Sequence, residues 1–376
     1  MKKSLIALAA LGAFAGAASA QSSVTLFGIL DTGIRAVRNG DGGTVKSLTS
    51  DGLSSSRLGF RGEEDLGGGL KAGFWLEGRV GVDTGDAGFN TSAAPSVANG
   101  NGANTTYKFF NRRTTISLMG PFGEVRLGRD YLPTFLNLAA FDAYGAVGLG
   151  NILNLTGSAA LNYPAGTLGS GGNLIRADNS VGYLLPANLG GLYGQVMAAM
   201  GEGTNQQNGN NGRYVGGRIG YAAGPFDVAA AYGNTRIPGN DDYRVWNLGG
   251  SFNFGVAKLS ALYHRAEDTP SGLARISQRL YGIGANVPLG QGEFRATYQR
   301  SDLSGGTVVG LRNEDDARQY AVGYIYNLSK RTALYTDVSR LQNRGGSLLT
   351  IPGGTGFNFT GGQNSTAFAA GVRHSF

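Results

Sequence analysis

The sequence holds no cysteine, only two histidines and, beyond its first twenty residues, no long uninterrupted apolar run. Each scarcity removes a class of protein. Without cysteine there is no disulfide scaffold. Metal centres gather several His, Cys or carboxylate ligands, and His264 and His374 stand far apart in the chain, so neither a metal nor a cofactor is expected. A hydrolase of the Ser-His-Asp kind needs a histidine base held by an acid. His264 near Glu267 and Asp268 is the one candidate, and proximity along a strand does not supply that geometry, so an enzyme is not expected. A transmembrane helix needs about 20 apolar residues, and none is found after residue 20. Lysine is scarce too, and the arginines that make up most of the +7 formal charge are scattered along the whole chain. Nucleic-acid modules concentrate their basic residues on one element, so a nucleic-acid partner is not expected.

What is present points elsewhere. Lys2 and Lys3 precede an apolar stretch from Leu5 to Gly16 and the small-residue run Ala18-Ser19-Ala20. This is the pattern of a secretory signal peptide, so residues 1–20 are set apart and the mature chain is expected to begin at Gln21 as one domain over 21–376. Glycine accounts for 65 of the 376 residues, yet 18 Phe and 17 Tyr are spread among them. Glycine-rich turns and regularly spaced aromatics together suggest an all-β chain.

Hydrophobicity alternates with period two in segment after segment, the mark of strands with one apolar and one polar face. Sixteen such segments can be counted, from 23–37 to 364–376, with no helical interlude. Their connections alternate: short turns such as 64–69, 120–123 and 329–331, and longer polar loops at about 38–54, 83–106, 132–172, 202–212, 236–242, 269–274, 303–317 and 343–363. Segments of about 10 residues, even strand number and short turns opposite long loops describe a transmembrane β-barrel. In "RLGFRGE", Leu58 and Phe60 share one side while Arg57, Gly59, Arg61 and Glu63 share the other. A barrel of sixteen strands is too wide for side chains to fill, so its polar face lines an aqueous lumen and its apolar face meets outer-membrane lipid.

The stretches "SSVTLFGILDTGI", "SRLGFRGEEDLGGGLKAGFWLE", "GPFGEVRLGRDY" and "RADNSVGYLLP", with Phe376 at the end of the last alternating run, make the chain resemble the general porins of Gram-negative bacteria, especially the betaproteobacterial or neisserial type. The resemblance implies a homotrimer of sixteen-stranded barrels passing small hydrophilic solutes across the outer membrane. It implies that Phe376 is read by the outer-membrane assembly machinery. It also implies that the third long loop, 132–172, folds into the lumen and narrows it opposite basic residues on the wall. Carried over by motif, those are Arg57, Arg61, Arg113 and Arg176; Arg35 and Arg79 lie on lumen parity as further candidates. Asp142, the only charge on that loop, and Asp130 are the acids expected nearby. Family members carry several acids there, a departure that weakens any transverse field. Fixed cationic charge favours anions, so small anionic or neutral hydrophilic solutes are the expected cargo. The alternative is a surface-exposed binding or adhesion barrel with little pore activity.

Overall fold

The computed structural model describes residues 23–87, 89–90, 107–156, 175–201, 213–237, 241–268, 275–305, 316–347, 349–353 and 361–376. The expected signal peptide lies outside them. Sixteen antiparallel strands form one closed sheet. In chain order they are β1 Ser23–Asn39, β2 in two segments, Thr44–Ser50 and Arg57–Gly67, β3 Leu70–Arg79, β4 Arg113–Gly120, β5 Gly123–Tyr131, β6 Arg176–Leu184, β7 Leu192–Ala199 and β8 Tyr214–Ala223. The second half comprises β9 Phe226–Ile237, β10 Asp241–Asn253, β11 Lys258–Asp268, β12 Ile276–Leu289, β13 Gly292–Gly305, β14 Ala317–Asn327, β15 Thr332–Asn343 and β16 Ser365–Ser375. A two-residue ribbon, Phe89–Asn90 with Tyr107–Lys108, stands outside the barrel sheet.

Closure is made by β1 and β16, in register from Ile29 opposite Ser375 to Asn39 opposite Ser365. The faces sort as alternation requires. Leu26, Leu30 and Ile34 of β1 and Phe368 and Val372 of β16 are exposed on the outside, whereas Asp31, Val37, Ala367 and Ala369 are buried on the inside. Isolated in water, that many exposed aliphatic and aromatic side chains would aggregate; against hydrocarbon they are the solvated face.

Two sequence expectations change. Residues 38–54 are not a long loop. The first segment of β2 pairs with β1 from Thr44 opposite Arg38 to Ser50 opposite Thr32, and the second pairs with the other half of β1, from Ile29 opposite Arg57 to Ser23 opposite Glu63. The interruption at 51–56 has a physical cause. Asp31 is fully buried, and its carboxylate accepts backbone N–H bonds from Gly52 (3.2 Å), Leu53 (2.7 Å) and Ser54 (2.5 Å) and the Tyr335 hydroxyl (2.8 Å). A buried carboxylate demands such donors, and the backbone leaves the ladder to supply them. Second, the segment predicted over 107–120 becomes barrel strand only from Arg113, which leaves Arg112 free of the strand's alternation.

The described part of the 132–172 loop packs against the inner wall. Pro133 opens helix α1, Pro133–Phe141, at a position where its missing N–H removes no helical bond. Thr134, Asn137, Leu138 and Phe141 recur at helical spacing and are the buried side. A 3-10 turn, Ile152–Asn154, follows, with Leu149, Ile152 and Leu155 fully buried beneath it. The remainder of the loop, 157–172, lies outside the described residues.

At the seam, Gly28 and Phe376 exchange two backbone hydrogen bonds of 3.1 and 3.0 Å. A Cβ on Gly28 would stand 2.4 Å from the Phe376 ring, so the glycine is the notch in which that ring lies. Gly28→Ala is expected to displace the ring and weaken the closed barrel by about 1–3 kcal/mol, the usual range for overpacking. The measurement is the midpoint of heat-modifiable gel migration. Adding Phe376→Ala should recover part of the loss, because the two changes share one contact.

Candidate functional site

The inner wall is divided. On β9–β14 neutral amides serve the loop. Asn137 donates to the side chain of Asn247 (2.7 Å) and to the Ala229 carbonyl (3.2 Å), and Asn247 donates to the Thr134 carbonyl (2.9 Å). Gln278, Gln299 and Gln319, all buried, donate to the carbonyls of Leu155 (2.7 Å), Gly150 (3.2 Å) and Asn151 (3.0 Å). Arg295 and Asp337 form a doubly bonded pair (2.8 and 3.1 Å) with side chains 3% and 1% exposed. The Arg295 guanidinium also lies 3.9 Å from the centre of the Tyr144 ring, pinning the loop.

Asp142 needs correction. It is not an acid standing open near the wall arginines. Its two oxygens accept from the backbone N–H of Tyr144 (3.3 Å), Ala146 (2.9 Å) and Ile152 (3.1 Å) and from Gln299 (3.2 Å). Burial pushes its pKa up to about 6, against the pull of those backbone donors. The carboxylate organises the turn and presents no open charge.

The basic residues rise from the other side, β1–β6 and the residues just before β4. Arg57 and Arg112 share Glu77, at 3.5 and 2.5 Å. Arg112 and Arg176 both donate to the Tyr131 hydroxyl oxygen, each at 2.7 Å, and Arg176 lies over the Tyr131 ring at 4.3 Å. Arg113 stacks on Trp75 at 4.6 Å and stands 3.7 Å from Asp130, whose nearer partner is Arg126 at 2.6 Å. Arg129 and Lys108 share Asp178, at 2.6 and 2.5 Å. Arg61 stacks against Phe27 and Trp75 and forms no ion pair among the described residues. Eight cations, Arg57, Arg61, Lys108, Arg112, Arg113, Arg126, Arg129 and Arg176, thus stand among four acids, Glu77, Glu124, Asp130 and Asp178.

Of the residues singled out in the sequence, Arg57, Arg61, Arg113, Arg176 and Asp130 fall in this cluster. Arg79 pairs with Asp51 at 3.4 Å and stands directly opposite Arg57 in the register of β2 and β3, at the edge of the cluster, whereas Arg35, six residues along β1 from Arg57's partner Ile29, donates to the Pro352 carbonyl at 3.3 Å. Arg126 lies on lumen parity in "EVRLGRDY", so alternation could have found it. Arg129 could not be found that way. The register shifts between Gly128 and Asp130, and Gly128 holds φ +124 where a Cβ would meet the Thr114 carbonyl at 2.1 Å. That bulge re-aims Arg129. His264 is buried between loop and wall with its Nδ1 unpartnered, and Glu267 pairs with Arg265 instead. Among the described residues no acid holds it as a base. No cluster of His, Cys, Asp or Glu suited to a metal occurs among the described residues.

A closed sixteen-stranded barrel with an apolar outside, a charged inside and a loop bound within defines a membrane channel of the porin class. The chain belongs to the family described as Gram-negative porin, which it matches over residues 7–346. It is 40% identical, over all of both chains, to outer membrane porin protein 32 of Delftia acidovorans, and 27% identical, again over all of both, to the major outer membrane protein P.IB of Neisseria meningitidis serogroup B. Among solved structures it resembles an anion-selective porin from Comamonas acidovorans, with 36% identity and a TM-score of 0.80 across 95% of this chain and 100% of that one. The protein is an outer-membrane porin.

Asp142→Asn keeps one accepting oxygen and turns an amide N–H toward donors. It is expected to loosen the loop by about 1–3 kcal/mol, the usual penalty for unsatisfied buried donors. Faster hydrogen exchange at the amides of Ala146 and Ile152, with added noise in single-channel currents, is the readout.

Proposed function

We propose that this porin passes small hydrophilic solutes by diffusion with a preference for anions, and that Arg57, Arg61, Arg113 and Arg176, with Arg112, Arg126 and Arg129, form the cationic side of its narrowest passage. The observation carrying this reading is a cluster on one wall in which eight cations stand among four acids, facing a loop whose one acid, Asp142, is enclosed. Fixed cationic charge lowers the barrier to anions and raises it to cations. The name of the solved relative, an anion-selective porin, supports the same reading. Arg79, held by Asp51, adjoins this passage opposite Arg57, and Arg35 acts from farther along β1. Transport needs no cofactor and no catalytic step. Cleavage near Ala20, assembly as a homotrimer and recognition of Phe376 by the assembly machinery complete the proposal.

The test is the reversal potential of single channels in a planar bilayer under a KCl gradient. A value on the chloride side is expected. Neutralising Arg57, Arg113 or Arg176 to Gln should each lower the chloride-over-potassium permeability ratio by roughly two- to fivefold, the effect of one charge across a few ångströms of water-like dielectric. A potassium preference overturns the charge assignment and leaves the porin. A folded barrel that gives no current steps turns the reading to binding or adhesion.

A further inference from the structure

The lumen wall carries a second feature that passage alone does not require. A cavity of about 390 Å³ is lined by Arg61, Trp75, Arg113, Ser117, Met119 and Glu124, within the range of small-molecule sites. The Trp75 ring centre lies 5.3 Å from the Arg61 guanidinium, 4.6 Å from that of Arg113 and 4.9 Å from the Phe27 ring centre. The indole N–H is committed to Glu77 at 3.0 Å, so Trp75 offers the cavity only an apolar and π surface, which Met119 extends.

The charges around the cavity are unequal. Arg126 is held by Glu124 (2.8 Å) and Asp130 (2.6 Å), Arg113 leans on Asp130 (3.7 Å), and Glu63 faces Lys71 (3.5 Å). Among the described residues Arg61 is the one lining cation without an ion pair, and it is exposed. Its guanidinium lies 5.4 Å from the Phe27 ring centre and 5.3 Å from that of Trp75, and its N–H donors, with no acid to hold them, suit a carboxylate. We propose that this cavity is a retention site for aromatic monocarboxylates of the benzoate class, with the carboxylate on Arg61 and the ring against Trp75 and Met119. A single unpaired cation beside Glu63 and Glu124 suits one negative charge and disfavours two. The site deepens the anion-channel reading and depends on it only for access through the lumen.

The chain supplies its own reporter. It has two tryptophans, and Trp246 lies on the outer face against Tyr263, 4.8 Å between rings. Trp246→Phe leaves Trp75 as the sole indole. Titrating the refolded Trp246→Phe protein with sodium benzoate at constant ionic strength should change its emission saturably, with half-saturation on the order of 1–10 mM, weak enough for rapid release. Sodium acetate should give no such change. Arg61→Gln should weaken the response by about tenfold or more, the scale of one charge-assisted bond, and Arg61→Lys, which keeps the charge but not the planar fork, should lie between. Heat-modifiable migration checks that each variant folds. Equal responses to benzoate, acetate and chloride overturn the aromatic specificity, and a response unchanged in Arg61→Gln overturns the assigned carboxylate partner. No saturable response from a barrel that conducts chloride overturns the site while the channel reading stands. Saturable, Arg61-dependent benzoate binding by a barrel without current supports the site and overturns the channel reading instead.

Discussion

Backbone satisfaction in hydrocarbon is the constraint from which the rest of this molecule follows. Lipid offers no hydrogen bonds, so a sheet can span it only if its first and last strands meet. Here β1 and β16 meet over eleven residue pairs, and two further bonds join Gly28 to Phe376. Once closure is obligatory, strand number sets the bore, and sixteen strands leave a lumen that side chains cannot fill. Selectivity therefore cannot come from the sheet alone. Something must be folded into the lumen, and it must be held there without filling it.

The means of holding it determines the electrostatics. Loop backbone carbonyls need donors, and neutral glutamine and asparagine supply them from β10, β12, β13 and β14. The one charged tie among these, Arg295 paired with Asp337 and lying over Tyr144, is charge-balanced. Asp142 turns inward to its own loop's N–H groups. The loop side thus contributes little net charge to the water beside it. The cluster on the wall of β1–β6 supplies a local excess of positive charge, because its acids are shared: Glu77 serves two arginines, and Asp178 serves an arginine and a lysine.

Period-two alternation made the barrel legible because it is a local property: which of Leu58 or Arg57 meets lipid is decided by the pleat. It also located Arg57, Arg61 and Arg113 on the lumen face. It failed where the pleat is broken. Arg112 precedes the strand, Arg129 follows a bulge at Gly128, and the 51–56 interruption answers to Asp31, a residue some twenty positions away in sequence. Asp142 was placed among the acids near the passage because sequence gives residue type but not the four donors that enclose it. These are tertiary facts with no periodic signature.

The choice of arginine over lysine on the wall follows from the same geometry. A lysine ammonium is a compact charge on a flexible stem; beside Glu77 or Asp130 it could swing onto the acid and be neutralised. A guanidinium is planar, permanently charged, and stacks on aromatic rings while keeping donors free. Arg61 and Arg113 on Trp75, and Arg176 on Tyr131, are held in that way. The Tyr131 oxygen, accepting from both Arg112 and Arg176, keeps two like charges side by side with a neutral acceptor between them. Aromatic and phenolic partners fix the cations in place without cancelling them. That allows the wall to retain net positive charge in spite of the acids on neighbouring strands.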